Sequence, residues 1–334
     1  MPVAVVTGAS GGVGRATAIA FAQQGFDVGL IARGEAGLAG AAADVSSVGQ
    51  RAHACSVDVA DWRAVDNAAS EIEDALGPID VWVNDAMTTV FSPFSEVEPD
   101  DFARAVEVTF LGQVWGTRAA LKRMVARDRG AIVNVGSALA YVGIPLQAPY
   151  CASKFACRGF VESVQAELTH QRSQVRLAMV HLPAVNTPQF DWGEDTMPHR
   201  PMPVPPIYQP ELAAQAIVAT ALTPRRSKVL GSWNKFLTIL ARATPQLAVN
   251  LGAFGAWEGQ FTDQPRQPDD PVNLYKPADD ERDFGAHGRF DAIAGGFLDP
   301  AYLKTLPKNA ATLARAATHT ARLKWQYVSA LRRR

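Results

Sequence analysis

Cysteine is scarce and histidine is scattered. Three cysteines, Cys55, Cys151 and Cys157, and six histidines are spread over 334 residues. An odd cysteine count without a Cys-x-x-Cys pair gives no disulfide framework and no structural zinc site, and points to a reducing, cytoplasmic setting. The histidines form no His-Glu-x-x-His and no cluster with acids at ligand spacing, so no metal is expected. Excess charge of one sign is also missing: 32 Lys+Arg stand against 33 Asp+Glu, a net charge of -1. Nucleic acid and anionic membrane are therefore not the expected partners. Nor is there a long apolar run. Val3 to Val6 is too short for a secretory leader, and the apolar stretch from Phe236 to Trp257 is broken by Arg242 and Pro245, so no membrane span is expected. What is present is a chain 48% hydrophobic and 19% charged, able to bury a large α/β core and suited to a small-molecule partner.

Short apolar runs alternate with helical periodicity. Strands are expected at Val3–Val6, Val28–Ala32, around His53–Cys55, Ile79–Val83, Ala131–Val135, Val175–Val180 and Lys228–Gly231. Helices are expected between them, including one long helix from Pro99 to Met124 with Phe102, Val106, Phe110, Val114 and Leu121 on one stripe. Six alternations of strand and helix imply a doubly wound parallel sheet, the Rossmann fold, with ligand along its carboxyl edge.

The first strand runs into Thr7-Gly-Ala-Ser-Gly-Gly-Val-Gly14 and then into a helix. Glycines at 8, 12 and 14 permit a tight turn and close approach to a pyrophosphate, whose charge meets the positive helix end. About twenty residues on, the second strand ends at Ala32 and Arg33, where an acid would hold the ribose 2′-hydroxyl of NAD and an arginine can pair with the 2′-phosphate of NADP. NADP is accordingly favoured over NAD, the other reading of Arg33 being a solvated strand end. Asp58 can accept from an adenine amino group or cap the helix that follows.

Ser137 closes an apolar strand, and Tyr150 and Lys154 lie four apart on one helix face. A nearby ammonium favours the phenolate, which would let Tyr150 exchange a proton with a substrate oxygen near neutral pH, with Ser137 holding that oxygen. Between Leu182 and Pro210 the chain carries seven prolines from position 183 to 206. It reads as a lid or a stiffened surface excursion, with Phe190, Trp192, Met197 and Met202 available to wall an apolar pocket.

Thr7-Gly-x-x-x-Gly-x-Gly14, Asp58, Asn84-x-Ala86, Ser137, Tyr150-x-x-x-Lys154 and Pro183-x-x-x-Thr187, in that order, resemble the short-chain dehydrogenase/reductase family over residues 1–233. The resemblance implies an NADP(H)-dependent oxidoreductase acting on a ketone or secondary alcohol. In it Tyr150 is the general acid/base, Lys154 binds the nicotinamide ribose and lowers the tyrosine pKa, and Ser137 orients the carbonyl. It puts the dinucleotide along Gly8, Ser10, Gly12, Val13, Gly14, Arg33, Asp58, Val59, Asn84, Ala86, Tyr150, Lys154, Pro183, Val185 and Thr187, the last holding the carboxamide. It also implies a homo-oligomer paired through long helices. Three positions depart from the family pattern. Met87 replaces a glycine, Ala184 replaces another, and Thr109 stands where an asparagine links the lysine to solvent. A dinucleotide-binding sensor or scaffold with impaired catalysis is the alternative.

Residues 234–334 exceed the family core and are expected to form a lid or subunit contact. Residues 263–283 read as an irregular, Asp- and Pro-rich arm, and Ala310 to Arg334 as a helix closed by three arginines.

Overall fold

Seven short runs of Val, Ile, Leu and Ala assemble into one parallel sheet in the computed structural model, which describes residues 1–223 and 226–296 together with positions 314, 315, 318, 322 and 325. The strands are β1 (Val3–Thr7), β2 (Asp27–Ala32), β3 (Ala52–Ser56), β4 (Ile79–Asn84), β5 (Ala131–Ser137), β6 (Arg176–Leu182) and β7 (Ser227–Val229), in the order β7-β6-β5-β4-β1-β2-β3. The central strands are buried on both faces, as parallel strands covered by crossover helices must be. One face packs under α1 (Gly12–Gln23), α2 (Glu35–Ser47) and α7 (Pro210–Leu222). The other packs under α3 (Trp62–Leu76), α5 (Gly112–Met124) and α6 (Ala148–His170). The chain winds outward from β1 through β2 to β3 and then crosses to β4 on the other side of β1, so the crevice at the carboxyl ends of β1 and β4 is the switch point where ligands collect.

The long helix is present but not uniform. Helix α4 (Pro99–Val106) passes through a π-helical turn, Glu107–Leu111, before α5. Such turns insert a residue and commonly sit at functional sites. The extension adds α8 (Ser232–Ala243) and α9 (Pro245–Gly255), which pack over the turn after β5 through Val142, Ala241 and Ala248. A strand pair, His199–Pro201 with Phe261–Pro265, ties the extension to the loop after β6. Of the expected irregular arm, 263–283, the first three residues belong to the strand Phe261–Pro265 and the rest, on to 290, contain no helix or strand. Among the described residues no helix is long and apolar enough to cross a membrane. The expected C-terminal helix from Ala310 lies largely outside the described residues.

Candidate active site

Two turns face one another at the sheet's carboxyl edge. After β1, Gly8 adopts φ +72°, and a Cβ on it would come within 2.9 Å of the Ala86 backbone. Gly14 lies against the Gly8 carbonyl so closely that a side chain there would collide with backbone. Thr7 Oγ1 accepts from the N–H groups of Asp85 and Ala86 at 3.1 and 3.2 Å, which joins this turn to the end of β4. The turn thus delivers the opening of α1, which has no side-chain cap, to the crevice.

Opposite, β5 ends at Ser137 and the first two turns of α6 carry Tyr150 and Lys154. Lys154 is buried, and its Nζ donates to the Val135 carbonyl at 2.8 Å and lies 5.5 Å from the Tyr150 ring centre. Burial depresses the lysine pKa against the opposing pull of Cys157 and Asp85. The tyrosine differs from the sequence expectation. Burial pushes its phenol well above the usual tyrosine range, and hydrogen bonding with Ser137 offsets only part of the rise. The ammonium donates to a carbonyl, and desolvation is the largest cause of the rise in the phenol.

Ser137, Tyr150 and Lys154 line a cavity of about 360 Å³ together with Gly8, Ser10, Gly12, Val13, Ala86, Pro183, Val185 and Thr187. Thr187 lies against Gly12, where an added Cβ would come 3.2 Å from its side chain, so the loop after β6 closes on the glycine turn. Ala184 and Met87 also line the cavity. The distal wall is apolar: Phe190, Trp192 and Met202 contribute as expected, whereas Met197 does not.

Six expected residues lie off the cavity wall, one of them Gly14, packed behind the turn against the Gly8 carbonyl. Asn84 is buried in a network, donating to Thr117 Oγ1 and Asn134 Oδ1 at 3.0 Å and accepting from Trp82 Nε1 at 2.8 Å, so its side chain braces β4, β5 and α5. Thr109, on the π-helical turn, donates to the Thr88 carbonyl at 2.7 Å and accepts from the Thr88 N–H at 2.9 Å. Its hydroxyl is therefore engaged with Thr88, not with Lys154. Arg33 donates to the carbonyls of Leu274 and Tyr275 at 3.2 and 3.1 Å and to Asn273 Oδ1 at 2.9 Å. Asp58 pairs with Arg104 and accepts from the Ala60 N–H; Asp61 caps α3 instead. Val59 is buried beneath Gly112. None of these six lines the cavity.

Three features were not foreseen. Asp85 lines the cavity half-buried beside the glycine turn, and burial raises its carboxyl pKa to about 7, opposed by Lys154 and the Gly14 backbone. Its signal was an acid at the end of an otherwise apolar strand. His181, near the end of β6, faces the Ser137 carbonyl at 3.2 Å through Nδ1 and the Tyr141 hydroxyl at 3.2 Å through Nε2. Burial lowers its pKa to about 4, so it is a neutral brace for the serine. The extension, expected as a lid or a subunit contact, contributes Trp233, Leu237 and Leu251 to the cavity wall. Away from the cavity, His53, Cys55 and Glu71 bring ligating atoms within 4.8 Å of one another, an arrangement the sequence reading did not anticipate. His53 there already bonds Glu71 at 2.8 Å, and burial raises the thiol pKa to about 11.

A family model described as short chain dehydrogenase matches residues 2–195. YxnA, an uncharacterised oxidoreductase of Bacillus subtilis, is 32% identical over 275 residues, covering 82% of this chain and 77% of that protein. The 3-dehydrosphinganine reductase of Danio rerio is 34% identical over 226 residues, 65% of this chain and 68% of that one. Among solved structures, an alcohol dehydrogenase of Thermococcus sibiricus complexed with 5-hydroxy-NADP superposes with a TM-score of 0.60 at 26% identity, covering 69% of this chain and 95% of its own.

Proposed function

The chain belongs to the short-chain dehydrogenase family, and from that premise we propose that it moves hydride between NADP(H) and an apolar ketone or secondary alcohol, with Tyr150 as general acid and base. The observation that carries this reading is the meeting of Ser137, Tyr150 and Lys154 in one cavity with the glycine turn at Gly8–Val13. The residues fit a nicotinamide dinucleotide there. Gly8 and Gly14 have no room for a side chain, which lets the turn close on Ala86 and on itself and bring its backbone to the cavity, and Thr187 stands beside it to meet a carboxamide. The nicotinamide, when bound, supplies or accepts the hydride.

The protein's part is orientation and proton transfer. Ser137, braced through its carbonyl by neutral His181, donates to the substrate oxygen. Tyr150 gives its proton to that oxygen during reduction and recovers it during oxidation. Burial keeps the phenol protonated, which suits donation to a carbonyl. Lys154, anchored on Val135, presents positive charge at the centre of the site and stabilises the phenolate that donation leaves behind. Preference for NADP rests on Arg33 at the end of β2 and on the lack of an acid at Ala32. Preference for an apolar substrate rests on the distal wall of Phe190, Met202, Leu237 and Leu251.

A panel of ketones and alcohols of graded chain length, followed by NADPH absorbance, tests the reading. Turnover that disappears in Tyr150→Phe is expected; turnover surviving that change would remove Tyr150 from the chemistry. The engagement of Thr109 with Thr88 favours a second reading, a sensor that binds NADPH without consuming it. Saturable binding with no turnover across the panel would select it.

A further inference from the structure

The adenosine end of the dinucleotide groove is filled by the protein's own chain. Arg33, Asp58 and Val59, the side of the groove that would receive adenosine and its 2′-phosphate, do not line the cavity. Residues 273–285 meet Arg33 directly and Asp58 by way of Arg104. Arg33 spends its donors on Asn273, Leu274 and Tyr275. Arg104 binds the Leu274 carbonyl at 3.2 Å while pairing with Asp58, and Leu274 itself is 0% exposed.

The same segment takes the helix ends that would otherwise face phosphate. Neither α1 nor α2 has a side-chain cap. The N–H of Gly12 donates to the Gly285 carbonyl at 3.2 Å. The N–H groups of Ala36 and Gly37 donate to the carbonyls of Asp280 and Asp279 at 3.2 and 3.0 Å, and that of Glu35 to Asp280 Oδ1 at 3.2 Å. Asp279, 4% exposed, fills the space left by Gly34 and Gly37 next to Ser10, and Asp283 pairs with Arg15 on α1. Backbone oxygens and carboxylates thus occupy the positions at which helix dipoles and a guanidinium attract an anion.

We propose that residues 273–285 are an internal competitor for the adenosine half of the dinucleotide site, and that cofactor binding requires this arm to leave. The inference rests on the dinucleotide reading above and adds a control to it. A 2′-phosphate is a stronger partner for Arg33 than neutral carbonyls are, since both ends of the bond are then charged. The phosphorylated dinucleotide is therefore the one equipped to displace the arm. Apparent affinity is reduced by the fraction of molecules in which the arm is docked.

Hydrogen exchange on the full chain tests this, read at the amides of 273–285 with and without saturating NADPH or adenosine 2′,5′-bisphosphate. Calorimetry on the wild type and on Asp279→Ala/Asp283→Ala accompanies it. The arm is expected to lose protection when either probe binds, and the double variant to bind both about tenfold more tightly, as for an arm docked about nine-tenths of the time. Protection that is kept or gained on binding, with affinity unchanged or weakened in the variant, would make the arm a clamp and overturn the proposal. Exchange in the wild type decides this even if the variant folds poorly. Failure of both proteins to bind either probe would remove the dinucleotide reading and the arm's role together. Displacement without turnover of any ketone or alcohol would support the arm and remove only the hydride-transfer reading.

Discussion

Lys154 Nζ donates to the Val135 carbonyl at 2.8 Å, so the ammonium at the centre of the site is tethered to the strand that carries Ser137. It is not committed to the Tyr150 phenol, whose ring centre is 5.5 Å away. On the proposed mechanism the pair would act as acid and electrostatic support, not as a preformed phenolate. Lys154→Met is expected to lower kcat/KM by roughly 10²-fold or more, and Tyr150→Phe by roughly 10²–10⁴-fold, the usual yield of a positioned proton donor. NADPH binding measured by fluorescence should survive in Tyr150→Phe.

Thr109 behaves as a structural residue in this geometry. Thr109→Val leaves the Thr88 N–H and carbonyl without their partner, a loss of about 1–3 kcal/mol measurable by urea unfolding. Turnover per folded molecule should change by less than threefold or so, because the hydroxyl is not aimed at the lysine. A large drop in kcat with unchanged stability would restore Thr109 to the proton path.

Asp85 sets a pH dependence with a definite sign. Its carboxyl is raised from 3.8 to about 7 on folding, so between those values the folded protein holds a proton that the unfolded chain has lost. Stability from this group therefore falls as pH rises through that window and reaches its floor above it. Ionised Asp85 also repels a pyrophosphate at the adjoining turn. NADPH affinity should decline as pH passes through about 7, and Asp85→Asn should flatten the decline; the same slope in that variant would assign it to another group.

Gly14 faces the Gly8 carbonyl, with a Cβ position 2.1 Å from that oxygen. Gly14→Ala is expected to cost about 1–3 kcal/mol by overpacking and to weaken dinucleotide binding, since the two glycines shape one turn. Thermal unfolding and NADPH titration check both effects.

The sheet was legible because its cause is local. Runs such as Val3–Val6 and Ala131–Val135 can only be buried strands at that length, and a glycine turn followed by a helix leaves little choice of what precedes it. Tyr150 and Lys154 were placed on one face by helical period alone. The side chains of Asn84 and Thr109 face away from the cavity because their directions depend on neighbours from other elements: Thr88, Thr117 and Asn134 are distant in sequence, and their hydrogen bonds decide what each polar group faces.

By itself the sequence determined the doubly wound sheet, the glycine turn after its first strand and the placing of Tyr150 and Lys154 on one helix face, since hydrophobic period, glycine geometry and i,i+4 spacing are properties of short segments. Only the tertiary structure decided the protonation of the site and the access to it. Burial raises both Tyr150 and Asp85, because desolvation depends on everything packed around a group. The docking of residues 273–285 on Arg33 joins segments some 240 positions apart, a meeting that no local pattern in an irregular arm encodes.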